Sequence, residues 1–246
     1  MPRDLVPDDG HLVVHDRAGA RLPFSQGVMA TSLLSTGLAT SDAYRLATLL
    51  YEELRTGGTR EIEADELVER ADALLTAQAG PAVAARWRAW LHVKRVQRPI
   101  VVAIGGAPGV GKSTIATRLA MRLEITHIVT TDTIREVLRT VIPSAVLPEL
   151  HASSFELVRH ETALPFSGFD RQSEAVGAAT NAVVARLCAE HRPSVIEGIH
   201  AAPGFLSRTI GGHPAKPIVI ERLMVEPNVE LHRQRLAHRS HAEPLR

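Results

Sequence analysis

Residues 106–113 read Gly-Ala-Pro-Gly-Val-Gly-Lys-Ser, a G-x-x-x-x-G-K-[ST] spacing, and few eight-residue stretches constrain a fold so strongly. Before them stands Ile100-Val-Val-Ala-Ile104, a continuous apolar run of the kind that forms a strand buried on both faces. After them, Ile115, Ala116, Leu119 and Ala120 recur at helical spacing, which predicts a helix from Lys112 to Leu123 with those residues inward. A glycine-rich turn between a buried strand and a helix lets successive N–H groups converge on an anion, and the helix N-terminus adds a partial positive charge. Lys112 is long enough to reach the β- and γ-phosphates of a nucleotide, and the Ser113 hydroxyl suits Mg²⁺. Gly106, Ala107, Pro108, Gly109, Val110, Gly111, Lys112, Ser113 and Thr114 are therefore the candidate nucleotide cradle. The alternative is a tight glycine turn that holds nothing.

The pattern continues as alternating strands and helices. His127–Thr130 reads as a second strand, followed by a helix bearing Ile134, Val137, Leu138 and Val141 and ended by Pro143. An irregular stretch from Pro143 to Arg171 is long enough to suggest function, and a long helix follows from about Gln172 to Glu190. Ser194–Glu197 and a segment within Pro217–Val225 are further strands, with a helix from about Asn228. Such alternation predicts an α/β domain of three layers around a parallel sheet.

Three sets of polar residues fall near the carboxyl edge of that sheet, where ligands of open α/β folds bind. Glu197 ends a strand and offers hard oxygens to Mg²⁺ beside Ser113, the alternative being a strand-end carboxylate facing water. Asp132 follows the second strand and could orient or deprotonate an attacking hydroxyl, though Asp132 or Thr133 could also simply cap the next helix, with Glu136 completing a capping box. Arg135 and Arg139 are four apart on that helix and suit an anionic substrate. The irregular stretch holds His151, Ser153, Ser154 and Arg159, then Gly168-Phe-Asp-Arg-Gln172, and His200 follows the Glu197 strand. Each of these alone reads more readily as a satisfied polar residue than as a ligand.

Ahead of the α/β region the sequence is mostly helical. A small hairpin is expected over His11–Leu22, with helices from Ser25 to about Thr36, after a Ser41 cap, after an Asp65 cap, and from Pro81 through Trp87 and Leu91. The basic stretch Lys94–Pro99 reads as a linker. Hydrophobic residues make up 45% and charged residues 22% of 246 positions, which is ordinary for a folded chain. Lys and Arg number 28 against 27 Asp and Glu, so a net charge of +1 supplies no field toward nucleic acid or anionic lipid. Aromatics at 4% leave few platforms on which bases could stack. No run approaches the roughly 18 apolar residues of a membrane helix. The opening Met-Pro-Arg-Asp-Leu-Val-Pro-Asp-Asp-Gly lacks an apolar signal core. The one cysteine, Cys188, excludes an intrachain disulfide framework. A soluble cytoplasmic protein, with neither nucleic acid nor membrane as partner, is the expectation.

At these residues the chain resembles the 2-phosphoglycerate kinase family. Ile104-Gly-Gly-Ala-Pro-Gly-Val-Gly-Lys-Ser-Thr114 is similar to that family's phosphate loop, which often has Ser where Ala107 stands. Thr131-Asp-Thr-Ile-Arg-Glu-Val-Leu-Arg139, Leu150-His-Ala-Ser-Ser-Phe155 and Ile196-Glu-Gly-Ile-His-Ala-Ala-Pro-Gly204 resemble its more specific signatures. The segment from Leu22 to Leu33 with its following helices resembles an ATP-cone, which implies nucleotide sensing. The resemblance implies an ATP-cone-like domain over residues 1–95 and a P-loop kinase domain over 96–246. It also implies a lid and a further strand beyond the fourth. The chain stops at Arg246 where the lid would begin, leaving Arg233, Arg235, Arg239 and Arg246 as lid candidates. The implied activity is transfer of the γ-phosphoryl group of ATP, with Mg²⁺, to a small phosphorylated hydroxy acid, 2-phosphoglycerate first among them, to give 2,3-bisphosphoglycerate. Lys112, Asp132 and Glu197 would be catalytic, and Ser113 and Glu197 would be metal ligands. Asp132, Arg135, Arg139, His151, Ser153, Ser154 and His200 would bind the acceptor. Two other readings stand beside it: another small-molecule kinase of shikimate-kinase-like architecture, and an ATP-binding sensor with weak catalysis.

Overall fold

In the computed structural model, residues 12–96, 98–154, 157, 167–206, 210 and 212–242 are described, without the side chains of Ser167 and of residues 238–242. The described residues form two compact units, a first made of residues 12–96 together with Arg122–Glu124, and a second made of the other described residues.

In the first unit, β1 (Val13–His15) pairs antiparallel with β2 (Arg21–Pro23), as the hairpin reading expects. Asp16 shapes the turn by accepting from the backbone N–H groups of Ala18 and Ala20 at 2.8 and 2.7 Å. A third strand, β3 (Glu61–Glu63), pairs parallel with β1 and is absent from the sequence reading. Its one inward residue, Ile62, is too short a signal for any alternation to register. Four helices cover this sheet: α1 (Gln26–Leu34), α2 (Thr40–Thr56), α3 (Ala64–Ala79) and α4 (Pro81–Arg95). Ser25 caps α1 by accepting from the Val28 N–H at 3.3 Å. Ser41 and Asp65 are not caps. They fall inside the first turns of α2 and α3, whose N-cap residues are Ala39 and Glu63. Asp65 still serves α3, because a carboxylate in the first turn complements the helix dipole. Leu46, Leu50, Leu75 and Trp87 fill the core of this unit.

The second unit is built on β4 (Ile100–Gly106), β5 (His127–Thr130), β6 (Ser194–Glu197) and β7 (Ile218–Met224), in spatial order β5-β6-β4-β7 with every pair parallel. Its helices are α5 (Lys112–Arg122), α6 (Thr131–Val141), the single turn α7 (Pro148–His151), α8 (Ser167–Ala189) and α9 (Val229–Ala242). Val101 and Ala103 of β4 pack in one cluster with Val184 and Cys188 of α8. Val102 and Ile104, which alternate to the other face, are buried as well. Both faces of the sheet are covered, the three-layer α/β arrangement of a P-loop kinase.

Two helix faces differ from the sequence reading. Ile115 is 45% exposed although its spacing marked it as inward, and Val137 and Val141 of α6 face outward too. Helical periodicity finds a stripe, but whether a neighbour covers it depends on residues far away in sequence. Helix α8 also begins at Ser167, several residues before the expected start. Among the described residues, no helix is long and apolar enough to cross a membrane.

Candidate active site at the carboxyl edge of the sheet

Strand register brings the site together. Glu197 of β6 lies level with Ile104 of β4 on one side and Thr130 of β5 on the other. The next residues along each strand are thus the phosphate-loop glycines, Gly198, and Thr131 at the start of α6. Space between them is scarce. A Cβ on Gly198, whose φ is 150°, would overlap the Thr131 hydroxyl, and one on Gly106, at φ 141°, would overlap the Met224 carbonyl oxygen. These two positions demand glycine because backbone and side chain already occupy the volume.

The loop itself wraps the start of α5. Lys112 is only 8% exposed, and its Nζ donates to the Ala107 carbonyl at 2.9 Å, so the ammonium lies folded over the loop. Ser113 Oγ donates to Glu197 Oε1 at 3.0 Å. Residues 84 apart in sequence therefore present a hydroxyl and a carboxylate side by side, two hard oxygen donors of the kind Mg²⁺ takes. From the other side His232 of α9 shares a 2.7 Å hydrogen bond with the Pro108 carbonyl, and Leu236 approaches Gly109. Nothing near the loop in sequence announces His232 as its support.

Thr130, not Asp132 or Thr133, is the cap of α6: its Oγ1 accepts from the Thr133 N–H at 3.0 Å. Capping is thereby settled without Asp132, which sits exposed in the first turn of α6. Arg135 is committed to backbone, donating from Nε to the Leu150 carbonyl at 3.1 Å and from Nη2 to the Ala152 carbonyl at 2.7 Å. Burial, with Arg139 nearby, holds its guanidinium pKa below the usual value. Arg139 pairs with Glu136 at 2.8 Å. His151 Nε2 shares a 2.8 Å bond with the Ile142 carbonyl, and Ser153 is exposed between Ala152 and Ser154.

His200 is 1% exposed. Burial lowers its pKa to about 4, against an opposing pull from Asp132 and with help from Arg135, so the ring is neutral at pH 7. Its Nδ1 faces Thr131 Oγ1 at 3.2 Å and its Nε2 faces Gln172 Oε1 at 3.0 Å. Of the residues read as acceptor ligands, Asp132 and Ser153 thus stand toward solvent, Arg139 is half-buried and paired with Glu136, and Arg135, His151, Ser154 and His200 hold other parts of the chain. Arg159 and Phe155 lie outside the described residues, as do Arg246 and the side chain of Arg239. Arg235, another lid candidate, pairs with Glu226 at 2.7 Å. Among the described residues there is no cluster of three or more His, Cys, Asp or Glu side chains fit to hold a metal without help from a ligand.

A parallel α/β sheet with a glycine phosphate loop opening α5, and a hydroxyl–carboxylate pair beneath it, is the P-loop kinase fold. No protein-family model matches the chain. The 2-phosphoglycerate kinase of Pyrococcus furiosus is 38% identical over 199 residues, covering 79% of this chain and 66% of that protein. The 2-phosphoglycerate kinase of Thermococcus kodakarensis is 38% identical over 200 residues, 79% of this chain and 69% of the relative. That of Methanopyrus kandleri is 37% identical over 224 residues, 89% of this chain and 67% of the relative. The chain belongs to the 2-phosphoglycerate kinase family, and it spans about two thirds of the length of these relatives.

Proposed function

We propose that the protein transfers the γ-phosphoryl group of ATP to the hydroxyl of 2-phosphoglycerate, giving 2,3-bisphosphoglycerate and ADP. The observation that carries this reading is the Ser113–Glu197 pair, 3.0 Å apart beneath a loop that ends in Lys112. The loop N–H groups and the α5 N-terminus cradle the nucleotide phosphates, and Lys112 offsets charge on the oxygens of the group in flight. Ser113 and Glu197 fit Mg²⁺ by their donor chemistry and would hold it, and the ion would supply charge neutralisation for the transferring phosphate. On the acceptor side the hydroxyl oxygen forms its bond to the γ-phosphorus as the bond to the β-phosphate oxygen breaks. Asp132 takes the hydroxyl proton. The exposed Ser153, with Arg139 further along α6, contributes donors to an acceptor bearing carboxylate and phosphate.

The first unit is proposed as the ATP-cone-like domain, a nucleotide sensor. Its cleft of about 430 Å³, lined by Phe24, Met29, Leu67, Val68, Trp87 and Leu91 among others, is of a size that admits a small ligand. A coupled assay of ADP release with 2-phosphoglycerate tests the main reading. Turnover with that acceptor and none without it supports the reading. ATP binding by calorimetry with no turnover overturns it and favours a sensor.

A further inference from the structure

The phosphate loop and Glu197 serve the nucleotide, yet a second group of polar side chains is buried close by. Gln172, in the early turns of α8, is wholly buried, and every hydrogen-bonding position of its amide is used. Its Oε1 accepts from Ser154 Oγ at 2.7 Å and from His200 Nε2 at 3.0 Å. Its Nε2 donates to the Glu149 carbonyl at 2.6 Å and to the Ala152 carbonyl at 3.2 Å. His200, stacked on Phe169 with ring centroids 5.5 Å apart, passes the connection to Thr131. The Ala152 carbonyl also receives Arg135, so two helices hold the same short stretch of backbone.

A leucine in place of Gln172 would fill similar volume. What the amide adds is selection of one arrangement for three separate segments, since any other leaves a buried donor or acceptor unmet. Each segment carries a polar neighbour from the candidate site, and two of these, Asp132 and Ser153, are exposed. Asp132 follows Thr131, Ser153 lies between Ala152 and Ser154, and the turn bearing His200 leaves from Glu197.

We infer that Gln172 is a positioning residue for the acceptor, holding Ser153 and Asp132 in the geometry that receives the hydroxyl-bearing substrate. The inference rests on the proposed function and extends it to a residue that touches no substrate itself.

Gln172→Glu keeps the side-chain shape but removes both N–H donors and sets a carboxylate against two carbonyls. In the coupled assay the KM for 2-phosphoglycerate is expected to rise about tenfold or more, while the KM for ATP stays within about twofold of wild type. Ser154→Ala, a milder cut in the same network, is expected to raise the acceptor KM about threefold to tenfold with the same indifference to ATP. If Gln172→Glu does not fold, Ser154→Ala alone decides. A purely structural role would lower the melting temperature while moving both Michaelis constants together or neither, and either result overturns the inference. Wild-type enzyme that releases no ADP with 2-phosphoglycerate overturns the proposed function and this inference with it. Wild-type turnover with an unmoved acceptor KM in the folded variants overturns the inference alone.

Discussion

Lys112 keeps its ammonium over the phosphate loop, 2.9 Å from the Ala107 carbonyl and outside either hydrophobic cluster, where the proposed function has it offset phosphate charge. Lys112→Ala should therefore leave a folded protein whose kcat falls by about 10²–10³-fold or more, the scale seen when one preorganised charge partner is lost. A circular dichroism melt beside the ADP assay checks both halves, and wild-type turnover would refute the role. Glu197→Gln retains an oxygen for the Ser113 hydroxyl but removes the negative charge. The Mg²⁺ concentration for half-maximal rate should rise about tenfold or more, with metal-free nucleotide binding little changed. An unaltered Mg²⁺ titration would return Glu197 to a structural strand end. His200 supplies a pH signature. Its folded pKa of about 4 lies below the ordinary 6.5, so the unfolded chain takes up the proton first. The associated stability, on the order of 3 kcal/mol, is present above the unfolded pKa and is lost as pH falls through the interval from about 6.5 toward about 4. His200→Asn should make the fall in melting temperature across that interval less steep, and an unchanged slope would assign the acid sensitivity to other groups.

At the scale of elements, the junction between β6 and α6 has almost no slack. Gly198 and Thr131 meet where their strands run level, so the packing of two elements depends on one missing methyl group. Gly198→Ala should cost about 1–3 kcal/mol, from overpacking and from a backbone at φ 150° that alanine resists. Urea unfolding measures it, and an unchanged midpoint would mean that the turn after β6 shifts freely. Elements with strong local signals were readable in advance. The continuous apolar run of β4, the Pro81 start of α4 and the loop–helix junction at Lys112 match the structure. Elements without such signals were not. Three residues of β3 carry one buried side chain, and the cap of α6 fell to Thr130 because a threonine at the strand end was already in place to accept the Thr133 N–H.

At the scale of the whole molecule, a hydrophobic cluster around Leu50 and Trp87 and another around Val101 and Ile196 share no residue, so among the described residues each unit has core packing of its own. With Mg·ATP at about a hundred times its Kd, the nucleotide should stabilise its unit by about 2.7 kcal/mol. Hydrogen exchange should then slow over residues 104–118 and, if the first unit senses nucleotide as proposed, over α2–α4 as well. In Lys112→Ala only the second effect should persist, and protection confined to the second unit of the wild type would remove the sensor role. The amino-acid sequence by itself determined the phosphate loop, the parallel α/β class and the polar residues of the carboxyl edge, because glycine spacing and buried-strand patterning act locally. It also carried the family signatures. Which of those polar residues stay exposed and which are engaged by other segments was decided only in three dimensions. Arg135, His151, Ser154 and His200 found partners on other segments, and Gln172 became the centre of a network, because a hydrogen-bonding group is spent on whichever complementary group the fold brings within about 3 Å. No spacing along the chain encodes that distance.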